Sequence, residues 1–135
     1  MVELLSEKYI LYPFHEEKYG HCLTELGGGM EHQTMTTIGV FEKKITAHEL
    51  AHSWWGDDIG IASFSDVWLS EGFATYFENL FYENRYGRDS FVQKLKEDRQ
   101  KALGYYNKNQ SPIVDTTITD YKKLLSPNTY EKAAW

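Results

Sequence analysis

Residues 46–57 read TAHELAHSWWGD and place two histidines and a glutamate within five positions, next to two tryptophans. On an α-helix, residues four apart lie on the same face, one turn above each other. His48 and His52 can therefore direct two imidazole nitrogens at one point. Glu49 lies about 100° further round the helix and can stand beside that point without ligating it. This is the spacing of a zinc hydrolase, which needs two ligands and a neighbouring base. The alternative is an ordinary helix with two surface histidines and an acid.

A catalytic zinc ion takes three protein ligands and keeps a fourth position open, so a third ligand is expected elsewhere. In VWLSEGFATYFEN, residues 67–79, Glu71 follows His52 with eighteen residues between them. It opens the next predicted helix, where the helix dipole favours a carboxylate. Trp68 and Phe73 would hold it in apolar surroundings, and an acid there needs a partner. A plain first-turn glutamate is the alternative. The predicted ligands of one zinc ion per chain are His48, His52 and Glu71.

The composition of the 135-residue chain argues against several classes of protein. Its net charge of −6, without any run of basic residues, argues against nucleic-acid binding. The single cysteine, Cys22, excludes an internal disulfide framework and leaves the compartment open. No apolar stretch approaches the roughly 18 residues needed to cross a membrane. Four Trp, ten Tyr and seven Phe supply ample material for a core.

The predicted elements run from a small sheet to a set of helices, which is an α+β order. Two strands flank a run of three glycines, so we expect a hairpin or a sheet edge there. The predicted strands cover residues 19–26 and 33–41. The predicted helices cover residues 1–8, 43–55, 70–86 and 89–106, with a last one beginning near residue 128. Ser70 is expected to cap the third helix, and Ala47, Ala51, Trp54 and Trp55 to form the buried stripe of the second.

Three motifs in this order resemble the gluzincin aminopeptidases, the group that contains aminopeptidase N and leukotriene hydrolase. The first is HELAH followed, after eighteen residues, by the glutamate of WLSEGFA. GGMEH, residues 28–32, is similar to the family's Gly-x-Met-Glu-Asn signature, with His32 where Asn is usual. TYEKAA, residues 129–134, resembles the segment that carries the family's transition-state tyrosine. The resemblance implies a thermolysin-like zincin catalytic domain. Because family members have a β-rich domain before this region and a helical domain after it, we expect residues 1–135 to be part of that domain.

The resemblance also implies roles for individual residues. Glu49 would take a proton from the attacking water and pass it to the departing amine. The Tyr130 hydroxyl would donate to the oxyanion. Glu31 would bind the free α-amino group of the substrate, which fixes cleavage at one residue from the end. Gly28, Gly29 and Met30 would let the substrate backbone approach closely.

A carboxylate is also expected to hold one of the zinc-binding histidines through its second ring nitrogen. Glu78 lies seven residues after Glu71, almost on the same face of the predicted helix. Asp66 is its rival for this role. The alternative for Glu78 is a solvated side chain.

The sequence thus predicts a zinc aminopeptidase that acts on peptides with a free N-terminus. A thermolysin-type endopeptidase and a catalytically idle folding or binding module remain open. We also expect the chain to be a poor peptidase by itself, because Tyr130 stands on a helix too short to be stable unaided. Apolar surface on the helices at 70–86 and 89–106 is expected to cause self-association.

Overall fold

A computed structural model describes residues 1–117 and 119–135. In the described part, a short helix precedes a small sheet, and the longer helices follow, so the predicted α+β order is confirmed. The strands are β1 (Gly20–Leu23), β2 (Gly29–Met30) and β3 (Met35–Ile38). The helices are α1 (Val2–Lys8), α2 (Lys43–Ala51), α3 (Val67–Tyr86), α4 (Arg88–Asn109) and α5 (Glu131–Ala134), with 3-10 turns at Phe64–Asp66 and Tyr121–Lys123.

The sheet has the order β1-β3-β2, with β1 parallel and β2 antiparallel to β3. The two predicted strands are therefore not a hairpin, and the glycine run supplies a strand of its own. The reason is the path of residues 24–28 around the end of β3. Thr24 N donates to Ile38 O (3.0 Å), and Gly39 N donates to Gly28 O (2.9 Å), so the chain reaches opposite edges of β3 at the two ends of this segment.

The core lies between α1, α2 and α3. Trp54 is its largest fully buried side chain, and the indole N–H donates to Ile10 O (3.0 Å). The core side chains in contact are those of Leu5, Tyr12, Leu50, Ala51, Trp54, Ala74 and Phe77. In the predicted stripe of α2, Ala47, Ala51 and Trp54 are buried, whereas Trp55 is only partly so. Burial of this stripe determines which face of α2 packs against α3. It thereby determines where the His48 side chain points.

Two helix boundaries differ from the prediction and matter for the site. α2 ends at Ala51, and residues 52–55 turn, which brings the Trp55 carbonyl back to His52. α3 begins at Val67 directly after the 3-10 turn, so Ser70 lies inside the helix and is not its cap. Among the described residues, no helix combines the length and the apolar character needed to span a membrane.

Candidate active site

Side chains from α2 and α3 converge at one point. His48 lies on α2, His52 directly follows it, and Glu71 lies in the second turn of α3. His48 Nε2 is 3.0 Å from Glu71 Oε2 and 3.2 Å from His52 Nε2, and His52 Nε2 is 3.3 Å from the same carboxylate oxygen. The three donor atoms therefore form a nearly equilateral triangle, contributed by two helices that pack against each other.

This triangle fits a zinc ion. Ligands bound at about 2.0–2.1 Å around a tetrahedral zinc are about 3.3 Å from one another. The three separations of 3.0–3.3 Å agree with that spacing. Two imidazoles and one carboxylate are also a donor set that zinc accepts. Glu31, Glu49 and His52 form a second group with atoms within 4.8 Å of one another. The two groups share His52.

The tautomer of His52 is set by contacts at its other nitrogen. Nδ1 lies 2.9 Å from Trp55 O and 2.9 Å from Ser70 Oγ. Since a carbonyl only accepts, Nδ1 carries a proton, so the lone pair of the neutral imidazole lies on Nε2, the atom that faces Glu71 and His48. Ser70 Oγ itself donates to Trp55 O (2.7 Å). Neither Glu78 nor Asp66, the carboxylates expected to hold a histidine, hydrogen-bonds Nδ1 of His52 in the described part of the chain.

Glu78 and Asp66 differ in how close they come to the histidines. Glu78 is buried, and its Oε2 is 4.0 Å from His48 Nδ1, too long for a hydrogen bond. Its Oε1 is 3.8 Å from Lys44 Nζ. Asp66 accepts from Ser63 Oγ (2.8 Å) in the 3-10 turn. Within the described residues, no hydrogen bond or ion pair joins Asp66 to either histidine. The second-nitrogen partners of His52 are Ser70 Oγ and Trp55 O, and not Glu78 or its rival Asp66.

Burial and neighbouring charges shift the pKa values of the candidate ligands in opposite directions. Burial lowers the pKa of His48. Burial alone would raise the pKa of Glu71, but the hydrogen bonds from both histidines and their charges lower it to about 2. Burial opposes protonation of His52, yet its hydrogen bond to Glu71 and the charge of Glu71 raise its pKa to about 9. Glu71 is therefore an ionised carboxylate at neutral pH, as a metal ligand must be.

Glu49 and Glu31 lie next to this triangle. Glu49 is 8% exposed, and burial raises its pKa to about 7, against the opposing charge of His52. The nearby carboxylates of Glu31 and Glu71 raise it further. Glu31 directly follows β2 and brings a carboxylate oxygen within 4.8 Å of Glu49 and His52. A buried carboxylate that changes charge near neutral pH can accept and release a proton.

Tyr130 lies against His48 and lines the same cavity as Glu49. Its ring stacks on His48, with centroids 5.8 Å apart and planes at 29°. Burial raises the pKa of its hydroxyl, and the charge of Glu71 adds to the shift, so the hydroxyl keeps its proton. It is therefore available as a hydrogen-bond donor over the whole physiological range.

The glycine-rich strand forms one wall of the site. β2 is an edge strand, so one side of its backbone carries no sheet partner among the described residues. At Gly29 a Cβ would lie 2.6 Å from Glu49 Cδ, which shows how closely the strand approaches that side chain. Gly28 and Gly29 line a cavity of about 430 Å³ together with His48, Glu49 and Tyr130. Met30 is 44% exposed beside it.

The family model described as Peptidase family M1 domain matches residues 32–135. The chain belongs to peptidase family M1. It is 32% identical over 102 residues to endoplasmic reticulum aminopeptidase 2 of Bos taurus, across 73% of this chain and 11% of that protein. It is also 32% identical to the leukotriene A-4 hydrolase homolog of Botryotinia fuckeliana, across 91% of this chain and 22% of that protein.

Among solved structures, the M1 zinc metallopeptidase of Deinococcus radiodurans matches with a TM-score of 0.77 and 27% identity. The match covers 98% of this chain and 29% of that one. A mutant of that enzyme has been solved with a Tyr-Ser-Ala substrate. The predicted family and the zincin fold are thereby confirmed. This M1 chain spans less than a third of the relatives named here.

Sequence reasoning missed two residues of the site. Ser70 was assigned to a helix cap, and no local pattern reveals its contact with His52, because that contact joins two elements. Gly72 was not singled out, although a glycine inside a helix is costly and often marks close packing. The structure places it against α5, next to the segment that carries Tyr130.

Proposed function

We propose that the chain provides the catalytic centre of a zinc-dependent aminopeptidase, which removes N-terminal residues from peptides. The observation that carries this proposal is the triangle of His48, His52 and Glu71 with Glu49, Glu31 and Tyr130 next to it. Membership of a peptidase family, with aminopeptidases among its relatives, supports the reaction class.

Zinc, when bound by His48, His52 and Glu71, supplies Lewis-acid chemistry that activates water and polarises a carbonyl. Contacts within the chain orient two of these three ligands, His52 and Glu71. The proton on Nδ1 of His52 is held by Trp55 and Ser70. Glu71 Oε2 lies 3.0 Å from His48 Nε2 and 3.3 Å from His52 Nε2, so one carboxylate oxygen faces both imidazole nitrogens.

We assign proton transfer to Glu49. Its buried carboxylate, with a pKa of about 7, can take a proton from the attacking water and hand it to the departing amine. In this assignment Glu49 is not a metal ligand, and its removal leaves the three donors in place.

We assign recognition of the substrate's N-terminus to Glu31. A carboxylate pairs with a terminal ammonium through a charge-assisted hydrogen bond, and the pairing fixes the distance from the N-terminus to the cleaved bond. The open edge of β2 at Gly28, Gly29 and Met30 would accept the extended substrate backbone. The cavity beyond His48 and Glu49, which Glu31 does not line, would receive the residues after the cleaved bond.

We assign oxyanion stabilisation to Tyr130. Its ring stacks on His48, and its protonated hydroxyl can donate to the oxygen of the attacked carbonyl. Removing one such donor typically costs about 10²–10³ in rate.

We further propose that residues 1–135 are one part of a larger catalytic domain. The relatives and structures named above are several times longer than the matched region, with coverage of 11–29%. The remaining walls of the substrate pocket would come from segments outside this chain, so turnover is expected from the complete protein.

Zinc content and turnover together test the proposal. The purified chain should bind one zinc ion, and the complete protein should hydrolyse amino-acid amides only when their amine is free. The matched control is the same amide with an acetylated amine. Hydrolysis of blocked internal bonds would instead favour a thermolysin-type endopeptidase. Zinc binding without any hydrolysis by the complete protein would favour an idle folding or binding module.

A further inference from the structure

Gly72 lies in α3 directly after Glu71 and is buried against α5. A Cβ at this position would lie 2.5 Å from Ala133 Cβ, 3.0 Å from Ala133 C and 3.1 Å from Ala133 O. Two of these neighbours are backbone atoms, which no rotation of a side chain can move. The absence of a side chain at Gly72 therefore sets how closely α5 can approach α3.

Three side-chain contacts join α5 and the residue after it to α4. Lys101 Nζ lies 3.0 Å from Glu131 Oε1. Arg99 is over the ring of Trp135 at 5.4 Å, and Lys132 is over the ring of Tyr106 at 5.4 Å. α5 is only four residues long, so these contacts, and not its own helical hydrogen bonds, hold it in place.

Tyr130 is the residue from which α5 starts. Its carbonyl accepts the hydrogen bond from Ala134 N (3.0 Å), one position after the residue that touches Gly72. A displacement of α5 at Ala133 is therefore transmitted through less than one helical turn to the ring that stacks on His48. Glu71, on the other side of the contact, directly precedes Gly72 in the chain.

We infer that Gly72 is a positioning residue for Tyr130: the side-chain-free contact with Ala133 holds the tyrosine over His48 and beside Glu71. The structural part of this inference stands by itself, whereas its consequence for turnover rests on the proposed function. Gly72 does not touch a reacting atom, and it acts only through the spacing of α3 and α5.

The structural part is tested on the chain itself with G72A and the matched control G104A. Gly104 lies in α4, where a Cβ would meet nothing within 4 Å. In the wild type and in G104A, nuclear Overhauser contacts should join the rings of Tyr130 and His48. They should weaken or disappear in G72A, while zinc content stays equal in all three. Unchanged ring contacts in G72A would overturn the inference.

A double variant keeps the test decisive if G72A folds poorly. G72A/A133G removes the 2.5 Å contact between side chains and retains the backbone contacts of 3.0–3.1 Å. It should regain part of the ring contacts and of the thermal stability lost in G72A. No recovery in the double variant would contradict the assignment of the effect to the 2.5 Å contact with Ala133 Cβ.

The catalytic part is tested in the complete protein with amino-acid amides. G72A should lower kcat by about 10-fold or more, approaching the 10²–10³ of a lost oxyanion donor, with little change in KM. In a Y130F background G72A should lower kcat by less than about threefold, because the two substitutions remove the same interaction. An equal cost in both backgrounds would overturn the inference. If the wild type shows no hydrolysis, the proposed function fails, but the ring contacts still decide whether Gly72 positions Tyr130.

Discussion

Ser70 Oγ lies 2.9 Å from Nδ1 of His52, so the residue immediately before Glu71 on α3 orients the histidine that follows α2. The same hydroxyl donates to Trp55 O at 2.7 Å. This contact joins His52 to α3, the helix that carries Glu71. His52 is 1% exposed. Both ring nitrogens of a fully buried imidazole need a hydrogen-bond or metal partner.

Replacing Ser70 by alanine should weaken zinc binding. The substitution removes a hydrogen-bond partner of His52, and losses of this kind cost about 10–100-fold in metal affinity. Competition with a chromogenic chelator would measure the change. S63A, at an exposed serine of the 3-10 turn, should leave the affinity unaltered. Equal affinities of S70A and the wild type would show that the Trp55 carbonyl is sufficient.

Replacing Glu49 by glutamine should remove turnover and keep the metal. The amide cannot accept a proton, so kcat of the complete protein should fall by about 10²–10⁴-fold. Zinc content should remain one ion per chain, because Glu49 is not one of the three converging donors. E71Q is the contrasting variant and should lose zinc together with activity. Loss of zinc from E49Q would refute this separation.

Replacing Glu31 by glutamine should damage recognition of the free amine. A hydrogen bond to a charged group contributes roughly 1.5–3 kcal/mol, so kcat/KM for unblocked amides should fall by about 10–100-fold. The preference for unblocked over acetylated substrates should shrink by the same factor, with zinc retained. A uniform loss for both substrates would assign Glu31 a different role.

Asp98 is expected to make the stability of the chain depend on pH. It is 6% exposed, accepts from Asn79 Nδ2 (2.6 Å), and its pKa is raised by burial. The folded chain therefore holds this proton more tightly than the unfolded chain. The resulting stability is fully present below the unfolded pKa of about 3.9 and is lost as pH rises through the folded value.

The substitution D98N should flatten this dependence, because an amide keeps the hydrogen bond and carries no charge. Urea unfolding between about pH 4 and pH 8 would give the free energy of unfolding at each pH. D98N should lose less stability than the wild type as pH rises, while D58N, at an exposed position, should follow the wild type. Parallel curves for D98N and the wild type would contradict the assignment.

The chain should self-associate through exposed apolar side chains of α3 and α4. Contiguous apolar patches on protein surfaces usually bind a partner. The exposed residues on these helices are Leu69, Phe73, Tyr86, Leu103 and Tyr106. Sedimentation velocity should show concentration-dependent association that the double variant L69Q/L103Q reduces. A monomer at all concentrations would refute the predicted self-association.

The parts of this protein that depend on local periodicity could be predicted from the sequence. Residues four apart on a helix share a face whatever surrounds them, so the pairing of His48 with His52 follows from HELAH alone. The order of sheet and helices and the burial of Ala47, Ala51 and Trp54 follow from composition and spacing in the same way.

Contacts between segments that are distant in the sequence were decided only by the tertiary structure. Local patterns do not specify that β1 runs parallel to β3, because that depends on residues 24–28 passing around the end of β3. The distance from Glu71 to the histidines and the contact of Ser70 with His52 arise where α2 packs on α3. The stacking of Tyr130 on His48 arises where α5 packs against Gly72 of α3. In each case the relative placement of two elements comes from burial of a shared core, and the energy of that burial is not encoded in either element by itself.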